Sequence, residues 1–191
     1  MKFNNDRQFV WRPDGVVIPF QCFTGLDYEA TTATDIKSIG AGAANDTSVI
    51  EIGTSGVTGL KMTAAGNSVM TLFALPRTFD PKYALRMRLH WSSGSTDTAD
   101  TIDWKILYTP IVYNVTAIAA PATALDTVIP QDLVPVATAN AHCVTAWGSI
   151  RPNKFADNVE ALLIEMKMDA FAVGLSEAKH LLALELAWTP R

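Results

Sequence analysis

The sequence predicts an all-β protein, an antiparallel jelly-roll-like β-sandwich with an extended N-terminal arm. The clearest observation is a pair of segments, Tyr83–Trp91 and Thr101–Tyr108, in which apolar and polar residues strictly alternate. Side chains of a strand point alternately to the two faces of a sheet, so this period of two is typical of half-buried antiparallel strands. The second observation is that many short segments of this kind are separated by Gly, Pro and Asn, as in sandwiches and barrels.

Length and composition favour one folded domain. The chain has 191 residues, which is enough for one sizeable core. We expect residues 1–25 to form the arm and residues 26–191 to form the sandwich. Only 18% of the residues are charged and 49% are hydrophobic. Such a low charge favours burial of part of the surface against other subunits, although an Ala- and Thr-rich β protein would have the same composition.

The predicted arm is rich in aromatic residues and has no sustained period. Pro13, Asp14 and Gly15 indicate a turn, and a short apolar run, Val16–Phe20, follows it. We expect the arm to wrap the domain or to reach a neighbouring subunit, and the four aromatic residues expected to serve assembly are Phe9, Trp11, Phe20 and Phe23. The alternative is an ordinary first strand that pairs within its own sheet. If the arm carries assembly, deleting residues 1–25 leaves a soluble β-rich fold and abolishes oligomerisation or particle binding.

Strands are expected from residue 26 onwards wherever alternation or a short apolar run lies between turn residues. Gly53–Gly56 has the composition of a hairpin turn, and 83–91 and 101–108 are expected to form a hairpin whose second strand is limited by Pro110. Ser176–Leu184 has helix-forming residues after a serine cap, but we expect a loop that leads into the last strand. The expected strands are Ser48–Ile52, Val57–Met62, Ser68–Leu75, Tyr83–Trp91, Thr101–Tyr108, Ile111–Ala117, Thr127–Ile129, His142–Ile150, Ala161–Met168 and Leu182–Trp188.

Charge and hydropathy exclude several classes of partner. The net charge is −4 and there is no basic run, so we expect no nucleic acid. The longest apolar run, Ile111–Leu125, is interrupted by polar residues and Pro121, and we expect no membrane span. The start of the chain lacks the apolar stretch of a secretory signal. Cys22 and Cys143 are far apart, which favours reduced, packed thiols over a disulfide.

The polar residues predict no catalytic residue, no metal ligand and no cofactor. His142 and Cys143 are adjacent, but neighbouring residues of a strand point to opposite faces, which disfavours a nucleophile pair. His90 is expected to point outwards beside Arg88. A calcium site near Asp97, Asp100 and Asp103 is less favoured than a solvated turn. Solvated charges are likewise preferred to a glycosidase pair among Glu51, Glu160, Glu165 and Glu185. The chain is therefore not expected to be an enzyme.

Five aromatic residues of the predicted strands allow two interpretations. They alternate with polar neighbours as core residues do, which favours packing in the core or between subunits. The other interpretation is a sugar-binding face, with Trp91 or Trp147 as the exposed ring. The five are Trp91, Trp104, Tyr108, Trp147 and Trp188.

The segment ALRMRLHWSSGSTDTADTIDWKILYTP resembles part of small phage virion proteins of the head-decoration and tail type. Shared features are a strand ending in Trp, a Ser/Thr/Asp/Gly turn and a second strand with Trp and a following aromatic residue. A piece like Thr123–Val128 (TALDTV) and a closing strand like Leu182–Pro190 (LALELAWTP) come in the same order. The resemblance covers residues 70–190, and Trp188 replaces the usual tyrosine. It implies a jelly-roll-like sandwich that builds or decorates a virus particle, often as a trimer.

The sequence and this resemblance together predict a bacteriophage virion structural protein. It would stabilise or decorate the capsid by assembly and not by catalysis. Its expected partners are other copies of itself, in a homotrimer, and other virion proteins such as the major capsid protein. Its expected location is the virion, assembled in the host cytoplasm. The alternative is a carbohydrate-binding β-sandwich module on a phage tail or capsid, whose partner would be a surface glycan.

Overall fold

The computed structural model describes residues 15–19, 48–52, 57–62, 68–94, 101–114, 121–125, 132–133, 138–155, 158–171 and 179–189. Within these ranges the chain forms β-strands and one short 3-10 helix, Pro152–Lys154, and no helix is long and apolar enough to cross a bilayer. The strands are β1 Gly15–Pro19, β2 Ser48–Glu51, β3 Thr58–Met62, β4 Ser68–Ala74, β5 Leu85–Ser93, β6 Thr101–Ile111, β7 Thr123–Ala124, β8 Asp132–Leu133, β9 His142–Val144, β10 Gly148–Ile150, β11 Ala161–Phe171 and β12 Lys179–Ala187.

The strands form two antiparallel sheets. The larger sheet has the order β10-β5-β12-β3-β2, with β9 also paired to β5 and β1 also paired to β12. The smaller sheet has the order β4-β11-β6-β7, with β8 also paired to β6. From β3 to β6, consecutive strands alternate between the two sheets, which is a jelly-roll-like arrangement. The predicted all-β sandwich is therefore confirmed.

The strands β5 and β6 do not form the predicted hairpin. β5 pairs with β12 in the larger sheet, and β6 pairs with β11 in the smaller sheet. The rings of Trp91 and Trp104 meet across the core, with centroids 6.1 Å apart. Alternation shows only which face of each strand is buried. That face can be covered by a strand of the opposite sheet, so alternation does not reveal whether two strands pair within one sheet. The periodicity was predicted correctly and the pairing was wrong.

The core lies between the two sheets and is built from the alternate residues that the periodicity predicts. β5 contributes Leu85, Met87, Leu89 and Trp91, all at most 1% exposed. Opposite them, β6 and β11 contribute Ile102, Trp104, Ile106, Tyr108, Leu162, Ile164, Met166 and Met168. Of the five aromatic residues discussed above, all except Trp147 are buried in this core, so the packing interpretation is confirmed for those four.

Other strands differ from expectation mainly at their ends. The β2–β3 hairpin is confirmed, since these strands pair and the Ile52 N–H donates to the Val57 carbonyl. β6 runs through Pro110 to Ile111, because among the described strands the only pairing at Pro110 is with Leu162 of β11. The segment 142–150 is two strands, and β12 already begins at Lys179, so the loop expected over Ser176–Leu184 is wrong from Lys179 onwards. Residues 112–114 are not strand, and the segment 127–129 lies outside the described residues.

Of the predicted arm, the structure describes residues 15–19, and these form β1. The strand pairs antiparallel with β12, placing Val16 opposite Leu186 and Ile18 opposite Leu184. Val16 and Ile18 are 3% and 5% exposed and belong to the core. This part of the arm is thus an ordinary strand of the larger sheet. The four aromatic residues proposed for assembly, Phe9, Trp11, Phe20 and Phe23, lie outside the described residues, and their role stays a prediction.

Candidate functional site

The outer face of the larger sheet carries a compact group of charged, polar and aromatic side chains. Because Leu85, Met87 and Leu89 of β5 enter the core, Arg86, Arg88 and His90 point to this face. β12 adds a glutamate from one side, and the β9–β10 region adds a histidine and a tryptophan from the other. We call this group the arginine–tryptophan patch; its members are Arg86, Arg88, His90, His142, Trp147 and Glu185.

Glu185 joins two residues of β5. It lies directly opposite Arg88 in the β5–β12 register. The Arg88 Nε–H donates to Glu185 Oε2 over 2.7 Å, and the His90 Nε2–H donates to the same oxygen over 3.0 Å. Burial alone would raise the pKa of Glu185, but the hydrogen bonds and charges of Arg88 and His90 outweigh it and lower the pKa. The carboxylate is therefore ionised at neutral pH.

His90 and His142 form a hydrogen-bonded pair. Their Nδ1 and Nε2 atoms, respectively, are 3.0 Å apart, and the ring planes differ by 10°. The pairing of β9 with β5, in which Trp91 faces Cys143, brings together these two residues from positions 52 apart in the sequence. Burial, followed by the charges of His90 and Arg88, lowers the pKa of His142. The chain Glu185–His90–His142 thus leads from a carboxylate to an exposed imidazole.

Trp147 lies in the break between β9 and β10, and the guanidinium groups of both arginines lie over its ring. The Arg88 Cζ is 4.4 Å and the Arg86 Cζ 5.1 Å from the centroid of its ring system, at cation–π distance. The break itself is fixed by Thr145, whose Oγ1 accepts the Leu89 N–H and whose N–H donates to the Leu89 carbonyl. The indole is therefore held over β5, half-buried.

The patch offers hydrogen-bond donors and acceptors and an aromatic ring, and it lacks a thiol. Cys143 points into the core, where its Sγ lies 3.5 Å from the Ala141 carbonyl, whereas His142 is exposed. The expected separation of these two neighbours on opposite faces of the strand is confirmed. Glu165 lies on the outer face of the smaller sheet, across the sandwich from Glu185. Within the described ranges no group of three or more His, Cys, Asp and Glu is placed to hold a metal ion.

The two tryptophans that the sequence suggested for a sugar-binding face, Trp91 and Trp147, lie on opposite sides of the larger sheet. Trp91 is 1% exposed and packs in the core, so that nomination is wrong. Trp147 is on the outer face, as required. The sequence also predicted that His90 lies outward beside Arg88, and this is confirmed. It gave no sign that His142 and Glu185 join them, because strand pairing is not visible in alternation.

No family model and no curated protein matches this sequence. Among solved structures, the chain is similar to the CBM36-1 domain of a multidomain xylanase from the hindgut metagenome of Trinervitermes trinervoides (TM-score 0.46, 11% identity, 91% of this chain and 97% of that chain). It is also similar to the xylan-binding module CBM15 (0.42, 10%, 91% and 97%) and to Caldicellulosiruptor saccharolyticus CBM27-1 in complex with mannohexaose (0.39, 10%, 89% and 96%). Similarity at this level identifies neither a family nor a ligand for this chain.

Proposed function

We propose that this protein is a non-catalytic carbohydrate-binding β-sandwich that holds a glycan on the arginine–tryptophan patch. The observation that carries the proposal is the half-buried Trp147 on the outer face of the larger sheet, beside the ion pair of Arg88 with Glu185 and the hydrogen-bonded His90. A sugar ring has apolar C–H faces and a rim of hydroxyl groups. An aromatic ring beside fixed polar groups matches both features.

The patch is arranged before any ligand arrives. Arg88 is held from two sides, by the Glu185 carboxylate and by the Trp147 ring. His90 is held by Glu185 and His142. All but Trp147 project from paired strands, and Trp147 follows the anchored Thr145. Side chains that are already ordered lose little conformational entropy on binding, which favours useful affinity from a small contact area.

The test is to replace the ring and measure polysaccharide binding. We expect the wild-type chain to be retarded by at least one soluble polysaccharide of a neutral and acidic panel in affinity gel electrophoresis, and its tryptophan fluorescence to respond saturably to the same polysaccharide. Trp147→Ala should abolish both effects because it removes the stacking surface and releases both arginines. Tyr113→Ala is the matched control, since Tyr113 is an aromatic residue that is 71% exposed outside the patch.

Two results would contradict the proposal. One is the absence of saturable binding to any polysaccharide of the panel. The other is binding that Trp147→Ala leaves intact or that Tyr113→Ala weakens equally. Circular dichroism of each variant shows whether the β-sandwich is preserved, so that lost binding is not mistaken for lost folding.

A second candidate function is the virion structural role that the sequence resemblance implies. One observation favours a partner subunit: the outer face of the smaller sheet is apolar at one end. Leu163 lies opposite Leu72 there, and Leu72 is 63% exposed. Beside them, Ala161 lies opposite both Ala74 and Ile111. Its test is the oligomeric state in solution, and a virion protein that binds surface glycans would combine the two functions.

A further inference from the structure

We propose that the ligand of the arginine–tryptophan patch is an acidic glycan, a polysaccharide of uronic acids whose carboxylates pair with Arg86 and Arg88. This inference rests on the proposed function and narrows it to one class of sugar. Three features of the patch support it: its charge, the way in which the guanidinium groups are held, and their spacing along β5.

The patch is positively charged on a chain that is negatively charged overall. The whole protein has a net charge of −4. The patch sets the guanidinium groups of Arg86 and Arg88 against one carboxylate, that of Glu185. Among the described residues, Arg86 is within salt-bridge distance of no carboxylate, and its contact is the Trp147 ring. A ligand carboxylate would supply the missing counter-charge.

The contacts of the two arginines leave their hydrogen-bonding edges available. A guanidinium group stacked on an aromatic ring uses its flat face, while its N–H groups lie in its plane and point away at the edge. The Arg86 guanidinium lies over the Trp147 ring, with its Cζ 5.1 Å from the ring centroid. Arg88 gives its Nε–H to Glu185, so its terminal Nη groups remain as donors with respect to the described residues. Two N–H groups at the edge of a guanidinium group can donate to the two oxygens of one carboxylate. Such charge-assisted hydrogen bonds are stronger than those between neutral groups.

The arrangement along β5 suits a repeating anion. Arg86 and Arg88 are two positions apart on one face of a strand, which separates their backbones by about 7 Å. Trp147 spans both of them. An extended polymer that carries a carboxylate on every sugar can therefore meet both arginines and the indole with neighbouring units. A neutral polymer can use the ring and the hydroxyl-binding groups but leaves Arg86 without its partner.

The experiment compares polygalacturonate with the same polymer after its carboxyl groups have been reduced to alcohols. We expect the reduced polymer to bind at least about tenfold more weakly, since a charge-assisted hydrogen bond contributes that much or more. Arg86→Gln should lose a similar factor towards polygalacturonate and nothing towards the reduced polymer. Arg77→Gln is the matched control, because Arg77 is an exposed arginine outside the patch, and we expect it to bind both polymers as the wild type does.

The outcomes separate this inference from the proposed function. Equal binding of the acidic and the reduced polymer, unaffected by Arg86→Gln but abolished by Trp147→Ala, overturns the acidic ligand and leaves glycan binding standing. Loss of binding to every polymer contradicts both. Dextran sulfate serves as a polyanion without uronic acids. If it binds as tightly as polygalacturonate, and Arg77→Gln weakens both equally, the attraction is general charge and the inference fails.

Discussion

His180 is a buried titratable side chain outside the arginine–tryptophan patch. It lies on β12, is 4% exposed, and its Nδ1 is hydrogen-bonded to Ser92 Oγ over 3.1 Å. Burial, followed by the charges of Lys179 and Lys61, lowers its pKa to about 4. The imidazole is therefore neutral in the folded protein at neutral pH, although a solvated histidine would begin to gain a proton near pH 6.5.

This difference predicts a loss of stability on mild acidification. As the pH falls below 6.5, the His180 imidazole takes up a proton in the unfolded chain. In the folded chain the same imidazole stays neutral down to about pH 4. The contribution of neutral His180 is thus present above pH 6.5 and is lost as the pH falls through that window, by about 2 kcal/mol between pH 7 and pH 5. His180→Asn, which keeps a polar atom near Ser92, should be less stable at pH 7 but should flatten this pH dependence in urea unfolding.

His142→Asn is the control for that measurement. The pKa of His142 is also lowered, but this residue is exposed, so its substitution should retain most of the pH dependence. Glu185, whose pKa is lowered from 4.5, contributes stability that is lost only as the pH falls below 4.5, which is outside the range from pH 7 to pH 5. If His180→Asn loses as much stability on acidification as the wild type, titration of His180 is not the cause.

Among the elements, β1 determines how deletion of residues 1–25 affects stability. The sequence suggested that residues 1–25 are dispensable for folding, but Val16 and Ile18 lie in the core and β1 pairs with β12 along its whole length. Removing residues 1–25 should therefore lower the free energy of unfolding by several kcal/mol, since two buried apolar side chains are lost and β12 loses a partner strand. Removing residues 1–14 keeps β1 and its pairing with β12, so the loss of stability should be smaller than on removal of residues 1–25.

The shorter truncation is also the cleaner test of the arm. It removes Phe9 and Trp11 without touching the described sandwich. If the arm carries assembly, this variant stays folded and loses oligomerisation. An equally stable protein after deletion of residues 1–25 would contradict the placement of β1 in the core, and unchanged assembly after deletion of residues 1–14 would remove Phe9 and Trp11 from the interface.

For the whole molecule, the proposed virion role requires another copy to cover the apolar end of the smaller sheet. Among the described strands β4 lies at the edge of that sheet, and its exposed Leu72 is on the same face as Leu163. Open edges and apolar faces of sheets are commonly closed by symmetric association. A homotrimer would give a light-scattering mass of three times 20.7 kDa.

If a homotrimer forms through this face, Leu72→Glu should convert it to monomers, because the substitution places a charge where the interface would need an apolar contact. Tyr83→Glu is the control, since Tyr83 is also an exposed apolar residue, 50% exposed, and lies outside β4. A wild-type chain that is monomeric at every concentration would count against the homotrimer and the virion role. Glycan binding on the opposite sheet is independent of that result.

The sequence by itself determined that the protein is a layered β-structure and which side of each strand is buried. Alternation is local: Leu85, Met87 and Leu89 must share a face whatever the strand pairs with. Only the tertiary structure decided that β5 and β6 lie in opposite sheets, that His90 meets His142 and that Arg88 meets Glu185. Those contacts join residues 52 and 97 positions apart, and the choice of partner strand depends on how distant segments pack, which no period within a single strand can encode.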